Sequence, residues 1–434
     1  MFPKMVVRRP FRASKSSPFV PCSIMPRSVM ASRQFSSPST PSRPPEFPSS
    51  GFEVIDPSQK VEEERLPFYK LEDYYPMQIG QVLENRYQVV AKLGYGISST
   101  VWLSRDLINQ KYWVLKVHIN TIQRNQELNV YRRLSGLTMD HPGRGYVRQF
   151  HDSFELKGPH GEHEVFVMAP LGMSLRTLQE LQKDHVFQQS LATTALSQAL
   201  LGLSYLHEAD VIHTDLHSDN LLVAITDDGI LSTVEENEIQ KPSARKVIDD
   251  TIIYVSQYML GGAGPLTICD LGQARIGRVH RGNAMPMVYR APEVIFGMTW
   301  GNAVDVWSTG LLAWDLLEKE SLFRVYDRDS QEQNDAHHVA ALTALLGPPP
   351  PEFLKRSEKT GKYWNEDGQW HGPVPLPPEK KLEALIHNVA GEDKEVFINF
   401  LECVLTWLPE DRLTSLEAYF HPWVRGEKVS QGED

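Results

Sequence analysis

From about residue 80 the chain alternates short β-branched and aromatic runs with glycine or asparagine turns: YQVVAKLGYG, STVWLSRD and KYWVLKVHI. Side chains of this kind fit a pleated, half-buried surface, so the pattern predicts antiparallel strands. NQELNVYRRLSGL changes the period, because Leu128, Tyr131 and Leu134 recur at helical spacing and predict one amphipathic helix. After PLGMSL, at residues 170–175, helical patterns dominate, notably LATTALSQALLGLSYLHE and VDVWSTGLLAWDLLEK. The expectation is an α+β chain of two lobes. A small antiparallel β lobe with one main helix would span 87–169, and a larger, mainly α-helical lobe 170–425, with no internal repeat.

The ends read differently. Residues 1–50 are rich in Ser, Pro and Arg and poor in periodic apolar positions, so they cannot offset the entropy of ordering and read as a disordered tail. The same Arg- and Ser-rich, acid-poor composition also suits a mitochondrial transit peptide, although its prolines disfavour a long amphipathic helix. Residues 51–86 form a lead-in and 426–434 a short tail.

Composition narrows the function classes. A chain of 434 residues with 41% hydrophobic content can bury one large two-lobed core. No run of eighteen apolar residues occurs, so no membrane span is expected. Cys22, Cys269 and Cys403 lie far apart and form neither a disulfide framework nor a paired metal-ligand pattern, which suits a reducing compartment. The first fifty residues hold eight Lys or Arg against one acid, Glu46, a surplus of +7 that leaves −18 on the rest of a chain whose net charge is −11. An acidic body suits basic macromolecular partners, and equally serves plain solubility.

Chemistry enters with LGYGISSTV at residues 93–101, where Gly94 and Gly96 let backbone approach phosphates closely and Ser99 takes a third glycine position. Alone this is an ordinary glycine hairpin. The next run, VWLSRD, is strand-like, which favours a phosphate lid over a dinucleotide-binding turn. WVLK ends at Lys116, and Glu127 follows eleven residues later on the predicted helix. A lysine held by a helical glutamate can grip α- and β-phosphates as a positioned point charge.

VIHTDLHSDNLL (211–222), ICDLGQAR (268–275) and MVYRAPEV (287–294) follow in order. Together these segments resemble the catalytic loop, metal-binding motif and APE motif of protein kinases. The resemblance implies a bilobal protein kinase fold using ATP and Mg2+. It makes Asp215 the proton acceptor, and Asn220 and Asp270 the magnesium ligands. It places Leu93, Gly94, Gly96, Ser99, Val101, Lys116 and Glu127 around the nucleotide. Met168 stands at the gatekeeper position and Ala169 to Leu171 supply the backbone that meets adenine. Asp305 in DVWSTG would anchor the catalytic loop, and Arg412 in PEDRLT would pair with Glu293.

Departures from the general pattern narrow the resemblance. Thr214 replaces the usual Arg and Leu271 the usual Phe. HTD with DLG, the lead-in YYPMQIGQVLENRYQVV and the run ALLGPPP are similar to the serine/arginine-protein kinase family of the CMGC group, most of all its short-spacer fungal members, over residues 51–425. That family phosphorylates serines in Arg-Ser repeats of splicing factors, which implies a basic or Arg/Ser-rich protein substrate, no direct nucleic-acid partner, a monomer, and residence in cytoplasm and nucleus. The segment AMPMVYRAPEV lacks the family's Thr-Arg-Gln run, which weakens the substrate reading.

From Asp270 to Glu293 there is no Ser or Thr, and Tyr289 is the only hydroxyl. Many kinases order this loop by pairing a phosphate with the catalytic-loop Arg. Here donor and receiver are both missing, which predicts activity without activation-loop phosphorylation. His217 stands where kinases usually carry a Lys that contacts the transferring phosphate. A histidine there is mostly neutral near pH 7 unless phosphate raises its pKa, so turnover should be reduced; a solvent-facing histidine without phosphate contact is the other reading. Residues 226–252, polar and acidic, are expected as a surface insert, and residues 351–376 fall where the CMGC group has its own insert.

Two rival functions share parts of this pattern. HTDLHSDN also resembles the loop of small-molecule phosphotransferases, but those lack an APE segment and a DxWxxG helix, and both are present here. A binding-only pseudokinase scaffold would explain Thr214, His217 and Ser99, yet Lys116, Glu127, Asp215, Asn220 and Asp270 all remain.

Overall fold

The computed structural model describes residues 42–122 and 125–427. Strands β1 (Val82–Leu83), β2 (Tyr87–Gly96), β3 (Ser99–Asp106), β4 (Tyr112–His118), β5 (Phe150–Gly158) and β6 (Gly161–Met168) form one antiparallel sheet in the order β1-β2-β3-β4-β6-β5. Helix α1 (Gln126–Ser135) is the predicted one. The side chain of Asn125 caps it by accepting from the Leu128 amide at 3.3 Å, and Leu128, Tyr131 and Leu134 are buried. Glu127 therefore sits in the first turn, pointing inward.

The larger lobe begins with β7 (Leu171–Ser174), α2 (Leu175–Glu180) and α3 (Gln189–Glu208). The short pairs that hold the catalytic machinery follow: β8 (Val211–Ile212) with a later strand, and β9 (Leu221–Ala224) beside β7. After the insert described below come β12 (Leu266–Ile268) against β9, β13 (Arg275–Ile276) against β8, and α5 (Pro292–Ile295). Helices α6 (Ala303–Leu317) and α7 (Gln331–Leu346) complete the centre of the lobe. α6 is apolar nearly all round, as a helix buried on every side must be, and it packs on α3. No helix among the described residues is long and apolar enough to cross a membrane.

The expected surface insert is instead part of the small lobe's packing. Residues 226–252 contain α4 (Gly229–Gln240) and the first strand of a hairpin made by β10 (Arg245–Ile248) and β11 (Thr251–Tyr254). Leu231 and Val234 pack on Val90, Ala91 and Leu103 of β2 and β3, and Tyr254 joins Met77, Tyr87 and Trp102. Charges reinforce the contact. Glu235 pairs with Arg105, Lys246 meets Glu64 at 2.7 Å, and buried Lys92 pairs with Glu63 while donating to the Tyr254 carbonyl at 3.1 Å. The small lobe thus carries a second helix contributed by the large lobe's sequence. Acidic residues between the apolar positions of this segment masked its buried face.

The tail boundary also shifts. Residues 1–41 lie outside the described residues, as do 428–434, but residues 42–50 are docked rather than loose. Gln88 Nε2 donates to the Pro45 carbonyl at 2.7 Å, and Phe47 packs against the apolar cluster that includes Val90, Ala91 and Leu103. The lead-in continues this wrapping, with Ile55 N donating to Arg245 O at 2.9 Å. The region 351–376 is likewise pinned: Phe353, Tyr363 and Trp364 are buried, and Phe296 and Trp407 stack around them.

Candidate active site

Strand β4 and helix α1 bring Lys116 and Glu127 together. Lys116 Nζ donates to Glu127 Oε2 at 2.7 Å and to Asp270 Oδ1 at 3.2 Å. Burial by itself would lower the lysine pKa, but the Glu127 and Asp270 carboxylates outweigh it and raise the ammonium above its ordinary value. Lys116 in turn holds the Asp270 carboxyl below the usual range. Burial would raise Glu127, and Lys116 together with the hydrogen bond to His118 more than offsets this. All three therefore stay charged at neutral pH. A carboxylate so held and half exposed can receive a cation.

The catalytic loop is built by hydrogen bonds to one buried carboxylate. Asp305, on α6, accepts from His213 N at 2.8 Å and Thr214 N at 2.7 Å, and lies 2.8 Å from His207 Nε2. Thr214 is held at φ 67°, a left-handed conformation that a β-branched residue adopts only when its surroundings impose it. Its hydroxyl donates to the Gln273 carbonyl at 2.9 Å, and His213 Nε2 lies 3.0 Å from the Cys269 carbonyl. These bonds fasten the catalytic loop to the segment bearing Asp270. Asp270 itself has φ 58°.

Asn220 Nδ2 donates to the Asp215 carbonyl at 2.9 Å and to its Oδ2 at 3.2 Å. Its amide oxygen is left available to the cleft. Burial raises the Asp215 carboxyl, His217 and His213 oppose the rise, and the charge of Asp270 adds to it. His217 is tucked into the loop. Its Nδ1 accepts from Asp219 N at 3.3 Å, and its Nε2 lies 3.1 Å from Asn220 Nδ2 and 3.6 Å from Asp215 Oδ1. This resembles neither a free surface histidine nor a side chain reaching out like a lysine.

A cleft of about 550 Å³ joins these groups. Gly96, Ser99, Val101, Lys116, Glu127, Met168, Asp215, Asn220 and Asp270 line it. Leu93, Gly94, Ala169 and Leu171 do not. Leu93 packs against the cluster of Val90, Ala91, Leu103, Leu231 and Val234 instead, and Leu171 pairs with Ala224. The Ala169 carbonyl accepts from Arg148 Nη2 at 3.1 Å. No side chain crowds the space where Gly94 would carry a Cβ, and Gly96 meets only a backbone oxygen at 4.0 Å, which suits the close approach of a phosphate. Sequence reasoning missed Val114, Leu222, Tyr131 and Arg148 in the lining. Leu222, two residues after Asn220, could have been found by its position; Arg148 had no signal.

The donor set fits magnesium bound with a nucleotide. Among the described residues no group of three or more His, Cys, Asp or Glu forms a metal cage. Magnesium bound to a nucleotide asks for less, one or two protein oxygens plus phosphates and water, and Asp270 with the Asn220 amide oxygen supplies these.

Two further contacts frame the substrate side. Arg412 donates to both Glu293 oxygens at 2.7 Å, fully buried. Tyr289 donates to Asp315 Oδ2 at 2.6 Å, so the activation segment's single hydroxyl faces inward. Cys269 is buried, which raises its thiol and leaves it inert.

Comparison with known proteins agrees with this geometry. Residues 87–424 match the family model described as protein kinase domain. A serine/threonine protein kinase of Aspergillus fumigatus is 39% identical over 388 residues, covering 88% of this chain and 95% of that one. The serine/threonine-protein kinase SRPK of Physarum polycephalum is 28% identical, covering 84% and 91%. The crystal structure of a kinase domain superposes with a TM-score of 0.61 at 22% identity, over 81% of this chain and 99% of that one.

Proposed function

The chain belongs to the protein kinase family and is of the serine/threonine type, and on that premise we propose that it is constitutively active, uses ATP with Mg2+, and phosphorylates basic, Arg/Ser-rich proteins of the splicing apparatus. The observation that carries the constitutive reading is Lys116 bonded to both Glu127 and Asp270 beside an activation segment without Ser or Thr. In this reading Asp215 takes the proton of the attacking serine hydroxyl, while Asn220 fixes the Asp215 carbonyl. Lys116 positions the α- and β-phosphates, and Asp270 and Asn220 hold magnesium, which when bound neutralises phosphate charge. The bond from the γ-phosphorus to the leaving oxygen breaks as the bond to the serine oxygen forms.

An acidic body supports the basic-substrate reading. The relative named SRPK supports the family, while the absent Thr-Arg-Gln run in AMPMVYRAPEV argues for a broader choice of residue after the phosphoacceptor. A monomer shared between cytoplasm and nucleus completes the proposal.

The test is phosphate transfer from Mg-ATP to an Arg-Ser repeat peptide and to an acidic serine peptide by the full chain, before and after phosphatase treatment, beside Asp215→Ala. Transfer that survives phosphatase, prefers the Arg-Ser peptide and vanishes in the variant is expected. Loss of activity after phosphatase treatment removes the constitutive reading, preference for the acidic peptide removes the substrate reading, and nucleotide binding without transfer makes the protein a scaffold.

A further inference from the structure

The base end of the cleft carries a charged side chain that the phosphotransfer reading does not use. Arg148 follows Val147, which bridges to Ile268, and its own amide donates to the Ile268 carbonyl at 2.9 Å. Its backbone is thereby fixed beside the segment leading to Asp270. The side chain reaches across the back of the cleft, with Nη2 3.1 Å from the Ala169 carbonyl and Nη1 3.9 Å from the Cys269 sulfur. Nε is buried and has no partner. Val101, Val114, Met168 and Leu222 line the same cleft and provide the apolar surroundings a planar base requires.

The chemistry of this slot is unusual for adenine. A 6-amino purine offers hydrogen-bond donors at its exocyclic group and needs an acceptor from the backbone of residues 169–171. The Ala169 carbonyl already accepts from a guanidinium, which occupies one of its two lone pairs and brings further donors to this edge of the cleft. Arginine carries donors only, so a 6-amino group would meet donors with donors unless the side chain moved away. A 6-oxo purine has the opposite polarity: its O6 and N7 are both acceptors, the pair that an arginine fork binds in bidentate fashion.

We propose that Arg148 is a specificity-determining residue of the base slot, and that it admits GTP as a phosphoryl donor on a par with ATP. The inference rests on the phosphotransfer reading for its chemistry, which is unchanged. The γ-phosphoryl group passes to the serine oxygen, the hydroxyl proton to Asp215, and GDP leaves in place of ADP.

The test measures kcat/KM for ATP and GTP, and Kd for the fluorescent N-methylanthraniloyl derivatives of both, in the full chain and in Arg148→Val and Arg148→Lys. Valine removes the donors that face this edge of the cleft, so the ATP-to-GTP ratio is expected to rise about tenfold or more, the discrimination a bidentate arginine–base pair supplies. Lysine keeps the charge without the fork and should fall between. A ratio that moves less than this in Arg148→Val overturns the assignment, as does wild-type protein that binds only the adenine derivative. If Arg148→Val does not melt cooperatively, Arg148→Lys decides by the direction of its shift. Nucleotide binding without transfer in the wild type counts against the phosphotransfer reading alone, and the Kd ratios still decide the role of Arg148.

Discussion

Replacing Tyr254 with alanine removes the residue that fastens the insert to the small lobe. The ring is 2% exposed and meets Trp102 edge-on, with centroids 5.8 Å apart, while the Arg245 guanidinium lies 4.8 Å above it. Its hydroxyl accepts from the Ile79 amide at 3.3 Å. Truncating a buried aromatic to alanine costs about 3–5 kcal/mol. Stranding the Ile79 amide adds about 1 kcal/mol. At about 2 °C per kcal/mol for a domain of this size, Tyr254→Ala should melt roughly 8–12 °C below the wild type. The assay is thermal unfolding followed by circular dichroism, with urea unfolding to confirm that the midpoint falls while the slope holds. A midpoint lowered by less than about 3 °C would mean that the insert contributes little to the small lobe, and the bracing role argued from Leu231, Val234 and Tyr254 would be wrong.

Three other outcomes follow from the site. His217→Lys should raise kcat by restoring a permanent charge beside the transferring phosphate; an unchanged or lower kcat in steady-state assays denies that role. His217→Gln removes a basic ring that opposes the rise of the Asp215 pKa, so the acid limb of the pH–kcat/KM profile, below which Asp215 is protonated and idle, should move to higher pH; a limb that stays or moves down contradicts the pairing. Asp305→Ala leaves the amides of His213 and Thr214 without their buried acceptor and should cost about 3–5 kcal/mol in chemical denaturation together with most of the activity, whereas a stable, active variant would show that Thr214 keeps its conformation unaided.

Much of the site was readable before any coordinates. Lys116, Glu127, Asp215, Asn220 and Asp270 sit in short segments whose residue types have little freedom, because positioning phosphates and a metal demands particular charges at particular points of the backbone. The base slot was less legible. The reading put Ala169 and Leu171 at the adenine edge, but whether a carbonyl there is free depends on which side chain arrives from elsewhere, and Arg148 is twenty-one residues away. Leu93 shows the same thing: Leu231 and Val234, well over a hundred residues on, join Val90, Ala91 and Leu103 in the apolar cluster that it packs against.

Local periodicity was enough for the two lobes, the resemblance of several ordered motifs to protein kinases implied the phosphotransfer chemistry, and the lack of Ser or Thr between Asp270 and Glu293 is read directly off the chain. Tertiary structure alone decided that residues 42–50 dock, that the acidic insert buries Leu231, Val234 and Tyr254 against the small lobe, and that Arg148 meets the Ala169 carbonyl. The physical reason is that burial and hydrogen-bond pairing are properties of surfaces brought together by the whole chain. A scattered apolar residue or a lone arginine carries no sign of its partner until the fold supplies one.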